Sequence, residues 1–258
     1  MSLPTENNDR PDQGPADTAT LQMVDGTKGF GGEPVLRDMQ LRLNQGETLV
    51  ILGRSGSGKT VLLKCLVGLM KLDEGSVLIQ GQDLGSADSK ALNQIRKKLG
   101  FLFQGAAIYD SLSVRENLEF HIHRQLQIQD DAEVESLVMK VLQDVGLEEA
   151  IGKMPSELSG GMRKRLGLAR ALVSKPDLML YDEPTTGLDP VTSQEISRLI
   201  RDTQSARGVA SLVVTHDMRC AQTTADRIIV LRDGAACAEG TYAELESSSD
   251  ADIKAFFS

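Results

Sequence analysis

Apolar and polar positions change their spacing several times along the chain. Between residues 21 and 51, short alternating runs such as residues 39–43 are interrupted by glycines, which is typical of half-exposed antiparallel strands. Residues 49–52 are then apolar at successive positions, as in a strand covered on both faces, and a glycine-rich turn and an apolar helix follow. The pattern predicts a small antiparallel β layer beside an α/β core.

The middle third of the chain has helical spacing. Ser113 and Glu116 form a capping box, and apolar residues between 134 and 145 recur at i, i+3, i+4 and i+7. We therefore expect an inserted helical subdomain from residue 105 to about 158, or to about 173 with the next helix included. Short apolar runs at 178–181, 212–214 and 228–231 then predict a mostly parallel sheet with helices on both faces.

The two ends of the chain differ from its middle. Residues 1–18 are rich in Pro, Gly, Asn and Asp and have too little apolar surface to offset the entropy of ordering, so we expect a disordered tail. Residues 19–246 are expected to form the globular domain, and a serine run opens a C-terminal tail at residues 247–258. Its aromatic pair, Phe256 and Phe257, is expected to pack on its own domain or to anchor a neighbouring subunit.

Composition narrows the possible classes of protein. The 258 residues are 40% hydrophobic, enough for one large domain or two ordinary ones, and the net charge of −9 argues against a nucleic-acid partner. Three scattered cysteines without CxxC spacing exclude a disulfide framework and predict a reducing compartment. We see no secretory leader at the start and no apolar run near the roughly 20 residues of a membrane helix. A membrane role would therefore need a spanning partner.

A glycine-rich string follows the predicted buried strand. It matches GxxxxGK[ST] as Gly53-Arg54-Ser55-Gly56-Ser57-Gly58-Lys59-Thr60. Its glycines allow backbone N–H groups to turn around phosphate oxygens, and the following helix adds the positive end of its dipole. Lys59 is placed for the β- and γ-phosphates, and Thr60 has a hydroxyl for Mg²⁺. The string predicts a nucleotide triphosphate site.

Two carboxylates follow a second apolar strand. Asp182 stands where open α/β sheets bind ligands and is placed for Mg²⁺. Because side chains alternate along a strand, we expect Glu183 to point elsewhere, towards a water that attacks the γ-phosphorus. A carboxylate is a weak base, so we expect Glu183 to act mainly by orientation and charge.

A second anion site is predicted 100 residues after Lys59. Ser159 suits an N-cap, and Gly160 and Gly161 expose the first N–H groups of a helix. One nucleotide does not need two phosphate cradles so far apart in sequence.

These strings, in this order, resemble the nucleotide-binding subunits of ABC transporters over roughly residues 20–245. Residues 158–162 resemble the family signature, with Met162 where many relatives have glutamine. The resemblance identifies four further residues by position: Phe30 for stacking on adenine, Gln104 of the Q-loop, Asp189 of the D-loop and His216, the switch histidine at the γ-phosphate.

The resemblance implies an α/β fold, a P-loop NTPase core of mostly parallel sheet with an antiparallel β layer and an inserted helical subdomain. It implies an ATPase that uses ATP and Mg²⁺, with Gln104 in catalysis and at the metal. It further implies that a second copy covers the nucleotide with Ser159, Gly160 and Gly161. Motion then passes to transmembrane permease subunits, with the chain peripheral on the cytoplasmic face of the inner membrane.

Two stretches resemble one transporter group. Residues 105–117 and 154–162 resemble the ATPases of the Mla (maintenance of lipid asymmetry) and Mce (mammalian cell entry) transporters. That resemblance implies phospholipid or other hydrophobic cargo, with a lipid-binding MCE-domain protein and a STAS-domain protein as further partners. The alternative is an importer for a small polar solute, in which residues 105–117 are merely a loop and a capped helix.

The sequence disfavours two other classes of protein. A non-transport ABC ATPase is disfavoured because the 54 residues between Gln104 and Ser159 are too few for a long coiled coil. A regulator that does not hydrolyse is disfavoured by the presence of Glu183 and His216. Elsewhere, His121 and His123 point apart on a helix and are expected at the surface rather than at a metal, and Cys65 is expected in the core.

Overall fold

The computed structural model describes residues 19–257, which form ten strands and nine α-helices. The strands are β1 (Ala19–Phe30), β2 (Glu33–Asn44), β3 (Thr48–Leu52), β4 (Glu74–Ile79), β5 (Gln82–Asp83), β6 (Leu99–Leu102), β7 (Leu178–Asp182), β8 (Ala210–Thr215), β9 (Arg227–Arg232) and β10 (Ala235–Gly240). The helices are α1 (Lys59–Leu66), α2 (Ser89–Lys97), α3 (Val114–His121), α4 (Asp131–Val145), α5 (Gly160–Leu172), α6 (Pro190–Arg207), α7 (Met218–Thr224), α8 (Tyr242–Glu246) and α9 (Ala251–Phe257). The tail predicted to be disordered, residues 1–18, lies outside this part of the chain.

The strands form two sheets. The first is antiparallel, in the order β2-β1-β4-β5, and the second runs β10-β9-β3-β8-β7-β6. In the second sheet β9, β3, β8, β7 and β6 are parallel to one another, and only the edge strand β10 is antiparallel to the strand beside it. The predicted fold, a mostly parallel core with an antiparallel β layer, is confirmed.

The central strand β3 divides two hydrophobic cores. All five of its residues are buried. Leu49 and Ile51 pack into a core shared with the antiparallel sheet and α1, whereas Val50 and Leu52 pack into a core shared with α3, α4 and α5. Consecutive residues of a strand point to opposite faces, so a strand buried on both faces must be apolar throughout, as the sequence predicted.

The stretch between β6 and β7 is helical. Ser113 caps α3 and exchanges hydrogen bonds with Glu116, so the predicted capping box is present. The apolar stripe of α4 is buried at five of its six predicted positions, namely Val134, Val138, Val141, Leu142 and Val145. These helices pack on the face of the parallel sheet that carries Val50 and Leu52.

The C-terminal segment packs on its own domain. Ile253 of α9 is buried, and Asp252 pairs with Arg232 at 2.6 Å. Phe257 meets Tyr242 edge to face, with ring centroids 5.2 Å apart, and the Phe256 ring lies 5.4 Å from the guanidinium of Arg54. Two arrangements were expected for the aromatic pair, and in the structure both rings pack on their own domain.

The expectation that both neighbouring histidines lie at the surface is wrong. His121 and His123 are half-buried, and they point to different partners, Ser174 Oγ at 2.9 Å and the Ile128 carbonyl at 2.7 Å. Burial of the His121 imidazole, with a smaller contribution from the charge of Arg170, lowers its pKa to about 4. The sequence did not show the burial because Ser174 follows α5, 53 residues away. Cys65 is buried in the core, as expected.

Candidate active site

The phosphate loop joins β3 to α1. Gly56 and Gly58 have φ angles of 82° and 103°, in the left-handed region where side chains are strained. A Cβ atom on Gly58 would lie 2.9 Å from the Val35 carbonyl oxygen, so only glycine fits. The Ser57 hydroxyl is buried and has no hydrogen-bond partner among the described residues. A loop that turns its backbone inward around an unpartnered hydroxyl fits a phosphate group.

Lys59 is the buried cation of this loop. Its Nζ donates to the carbonyl oxygens of Gly53 at 2.7 Å and Arg54 at 3.0 Å. It also lies 3.4 Å from Oε1 of Glu183. The loop lysine and the carboxylate after β7 therefore face each other across one site.

The two acidic residues differ in backbone conformation. Asp182 is the last residue of β7 and is half-buried, whereas Glu183 is outside the strand, with φ 47°. Strand alternation was predicted to turn the Glu183 side chain away from Asp182. This reason is wrong, because Glu183 follows the strand and its left-handed backbone sets the direction of its side chain. Glu183 Oε2 lies 2.8 Å from His216 Nδ1 and accepts from Thr186 Oγ1 at 3.2 Å.

Burial raises the pKa of Asp182, and the negative charge of Glu183 raises it further. Lys164 and Lys59 oppose this effect. Asp182 supplies a carboxylate oxygen, Thr60 a hydroxyl and Gln104 an amide oxygen, all of the type that Mg²⁺ prefers. No cluster of three or more His, Cys, Asp or Glu residues suited to a metal occurs in residues 19–257. Mg²⁺ usually keeps waters and substrate phosphates among its ligands. The three oxygen donors from the protein are therefore enough for a Mg²⁺ site.

One cavity of about 390 Å³ gathers many of the predicted residues. Its lining includes the phosphate loop with Lys59 and Thr60, and also Gln104, Asp182, Glu183 and His216. A larger cleft of about 630 Å³ lies between α4 and α6 and has none of these residues in its lining. The side-chain chemistry, and not the cavity volume, therefore locates the site.

The other predicted site residues lie outside that lining. Phe30 ends β1 with 51% of its surface exposed, and Lys28 Nζ lies 5.6 Å from its ring centroid. Ser159 is the exposed N-cap of α5 and accepts from the Met162 amide at 3.2 Å. Asp189, likewise exposed, caps α6 and accepts from the amides of Val191 and Thr192. A hydrogen bond from the Thr192 hydroxyl lowers the Asp189 pKa most, and the two amide hydrogen bonds lower it further.

The two glycines after Ser159 have different surroundings. Gly160 is exposed at the tip of α5. Gly161 is buried, and a Cβ atom there would lie 2.4 Å from Cγ2 of Thr192. Gly161 therefore allows the start of α5 to approach α6 closely.

Lys164 also belongs to the site, although the sequence did not predict it. This residue is buried on α5, and its Nζ donates to the backbone carbonyls of Gln104 at 2.5 Å and Glu183 at 3.3 Å. A signal was present, because Lys164, Leu168 and Ala171 follow i, i+4, i+7 spacing and share the buried face of the helix. In the sequence, Lys164 lies between Arg163 and Arg165 within a basic run that is typical of a solvated surface.

Comparison with known proteins agrees with this geometry. The family model described as "ABC transporter" matches residues 36–186, from the second strand to the loop after Glu183. The chain belongs to the ABC transporter family. As an ABC cassette, it resembles a solved dimeric cassette, MJ0796, in a post-hydrolysis state bound to ADP and phosphate. The TM-score is 0.77 at 32% identity, covering 86% of this chain and 98% of the other.

Two curated relatives of this cassette carry transport descriptions. The probable ribonucleotide transport ATP-binding protein mkl of Mycobacterium leprae is 42% identical over 205 residues. The match covers 80% of this chain but only 59% of the relative's length. The intermembrane phospholipid transport system ATP-binding protein MlaF of Haemophilus influenzae is 37% identical over 226 residues, covering 87% of this chain and 85% of MlaF.

Between residues 19 and 257, no helix of the cassette is both long enough and apolar enough to cross a bilayer.

Proposed function

We propose that this ABC cassette is the ATP-hydrolysing motor of a membrane transporter. One observation carries the proposal: the phosphate loop, Asp182 and a Glu183–His216 pair line the same cavity. These are the parts that hydrolysis of a triphosphate needs, namely a phosphate cradle, a metal-binding carboxylate and a carboxylate that orients water.

The phosphate loop binds and orients the triphosphate. The backbone N–H groups of residues 56–60 and the ammonium of Lys59 balance the charge of the β- and γ-phosphates. Thr60, Asp182 and Gln104 would hold Mg²⁺. When bound, Mg²⁺ supplies positive charge at the phosphates. The unpartnered hydroxyl of Ser57 gives the loop one further donor for a phosphate oxygen.

Glu183 orients the attacking water. Its carboxylate is buried between Lys59 and His216, so its two oxygens have fixed and different partners. The 2.8 Å contact with His216 leaves Nε2 of the imidazole for the γ-phosphate, which is the role that the family resemblance gives this histidine. Phe30 offers an exposed ring on which adenine can stack.

A second copy of the chain completes the site. Ser159 and Gly160 are exposed at the tip of a helix and lie outside the lining of the cavity in their own chain. A helix N-terminus of this kind binds phosphate oxygens when another molecule brings them to it. The relative that was solved as a dimer bound to ADP and phosphate supports a pair of cassettes as the active unit. Asp189, the exposed N-cap of α6, belongs to the same interface.

The proposed cargo is phospholipid or another hydrophobic molecule. Support comes from the resemblance of residues 105–117 and 154–162 to the Mla and Mce ATPases and from the similarity to MlaF along most of its length. The partners are then permease subunits that span the inner membrane, an MCE-domain lipid-binding protein and a STAS-domain protein. The cassette acts at the cytoplasmic face.

A small polar solute is the second candidate cargo. The relative mkl, which is described as a probable ribonucleotide transport protein, is 42% identical to this chain over the matched residues. In this case residues 105–117 contact a permease without specifying lipid.

Copurification distinguishes the two cargoes. The chain is tagged and expressed in its native host as the Glu183→Gln variant, and membranes are solubilised with Mg-ATP present. We expect a spanning subunit and an MCE-domain protein in the eluate, with phospholipid in excess over a Lys59→Ala control. A soluble solute-binding protein without lipid enrichment would replace the lipid proposal with the second candidate. If no membrane protein copurifies, the transport proposal is wrong.

A further inference from the structure

The side chain of Lys164 connects α5 to two loops of the candidate active site. Gln104 follows β6 and Glu183 follows β7, which are adjacent parallel strands with Leu102 opposite Tyr181. Lys164 Nζ reaches the backbone carbonyl of each residue, at 2.5 and 3.3 Å. One ammonium group therefore joins α5 to the Q-loop at Gln104 and to the loop at Glu183, the residue proposed to orient water.

The stability of the fold does not explain why a lysine is buried at position 164. Lys164 is 5% exposed, and among the described residues no carboxylate oxygen lies within 4 Å of its Nζ. Burial lowers its pKa, although the charges of Asp182 and Glu183 act in the opposite direction. A buried cation that is satisfied mainly by carbonyl groups costs desolvation energy that an apolar side chain of the same length would avoid. The stability of the fold alone would favour methionine at this position.

The backbone of Glu183 needs an external constraint. Its φ of 47° is uncommon for a residue with a side chain, and such strain persists only where the surroundings fix it. The Glu183 amide donates to the Val214 carbonyl at 2.9 Å, and Lys164 holds the Glu183 carbonyl on the other side. Because Pro184 follows, the conformation favoured for a free Glu183 is extended, which would turn its carboxylate away from His216.

The Q-loop is constrained in a similar way. Ala106 and Ala107, just after Gln104, have φ angles of 59° and 48°. Arg170 donates to the Ala107 carbonyl, and its guanidinium lies 5.3 Å from the Tyr109 ring. Since Lys164 and Arg170 both belong to α5, the helix is joined to this segment at two points.

We propose that Lys164 is a positioning residue that holds Gln104 and Glu183 in register with the helix that bears Ser159. The proposal rests on the proposed function, because it concerns the geometry of the same hydrolytic site. Movement of α5, when Ser159 meets a partner's nucleotide, is transmitted through Lys164 to the metal-binding glutamine and the water-orienting glutamate of the same chain. Lys164 thereby couples closure of the dimer to the competence of the site.

The test is the Lys164→Met variant, which keeps the stem length and removes the ammonium. We expect the turnover number for Mg-ATP to fall about 10- to 100-fold, as for a displaced catalytic group, and KM to stay within about 3-fold. Lys164→Gln, which retains a donor, should recover part of the rate. Lys140→Met, at an exposed position on α4, is the matched control and should keep the rate of the unaltered chain.

Hydrogen exchange of the nucleotide-free protein supplies a readout that does not depend on turnover. In Lys164→Met, amides of residues 103–108 and 183–187 should exchange at least about 10-fold faster, while β3 and α5 keep their protection. A purely structural role would raise exchange throughout the domain and leave turnover per folded molecule unchanged, and that result would overturn the proposal. Unchanged exchange in both loops would also overturn it. If the unaltered chain does not hydrolyse ATP, the proposed function fails, and exchange alone decides whether Lys164 holds the loops.

Discussion

Nδ1 of His216 lies 2.8 Å from Oε2 of Glu183, and the two residues directly follow different strands, β8 and β7. β7 and β8 are parallel neighbours, with Asp182 opposite Val214, so their carboxyl ends deliver both side chains to the same edge of the sheet. The contact fixes the carboxylate that we propose to orient water, and it makes the two residues one functional unit.

Because Glu183 and His216 act as a unit, their substitutions are expected to be non-additive. Glu183→Gln and His216→Ala should each lower ATP turnover about 100-fold or more. The turnover of the double variant should be only slightly lower than that of the less active single variant. Steady-state ATPase rates of the four proteins test this. Losses that multiply in the double variant would mean that the two residues act independently.

Glu183→Gln should also separate binding from hydrolysis. The amide keeps the shape of the side chain but removes the charge, so ATP should still bind while turnover falls by the factor given above. We expect ATP and Mg²⁺ to convert the variant to a stable dimer that is visible in size-exclusion chromatography with light scattering. If the variant turned over ATP at the normal rate, Glu183 would have no part in catalysis.

Lys59→Ala should remove tight ATP binding. A buried ammonium contributes charge-assisted hydrogen bonds to the phosphates, so we expect affinity to fall roughly 100-fold or more. Isothermal titration with Mg-ATP measures the loss, and Lys71→Ala, at an exposed position after α1, is the control. Equal affinity of the Lys59 variant and the control for Mg-ATP would mean that Lys59 of the phosphate loop does not bind the nucleotide.

His121 should make the stability of the protein depend on pH. Its folded-state pKa, about 4, lies below the ordinary value of 6.5, so the unfolded chain binds the proton more readily between these values. The contribution of His121 is complete above pH 6.5 and is lost as the pH falls towards 4. After a discount for partial exposure we expect about 2 kcal/mol.

Urea unfolding at pH 7 and pH 4.5 measures this contribution. The His121→Gln variant should lose less stability between the two pH values than the unaltered chain, because glutamine does not titrate and can still bond to Ser174. An identical loss in both proteins would show that His121 is not the source.

The C-terminal helix should stabilise the domain. Ile253 is 3% exposed, so Ile253→Ala is expected to lower the free energy of unfolding by about 2–4 kcal/mol. Ser249→Ala, at an exposed position before the helix, should change it by less than about 0.5 kcal/mol. Equal stability of the two variants would mean that α9 does not pack on the domain in solution.

Much of this fold could be predicted because the determinants are local. The glycine spacing of residues 53–60, the apolar run of β3 and the Ser113–Glu116 capping box each act within a few residues. The direction of Glu183 could not be predicted, because its left-handed backbone depends on Val214 and Lys164, which are distant in sequence. The burial of Lys164 and His121 was missed for the same reason. Whether Ser159 reaches a nucleotide depends on a second chain.

The central claim is that each ATP site contains Lys59 of one copy and Ser159 of the other, and a mixing experiment tests it directly. Ser159→Arg and Lys59→Ala chains should each be nearly inactive alone, although the Ser159 variant still binds ATP. Mixed one to one, they should recover up to about a quarter of normal turnover, since half of the random dimers have one intact site of two. If the mixture stayed as inactive as its components while mixed dimers formed, or if Ser159→Arg alone hydrolysed ATP at the normal rate, the shared site would be contradicted.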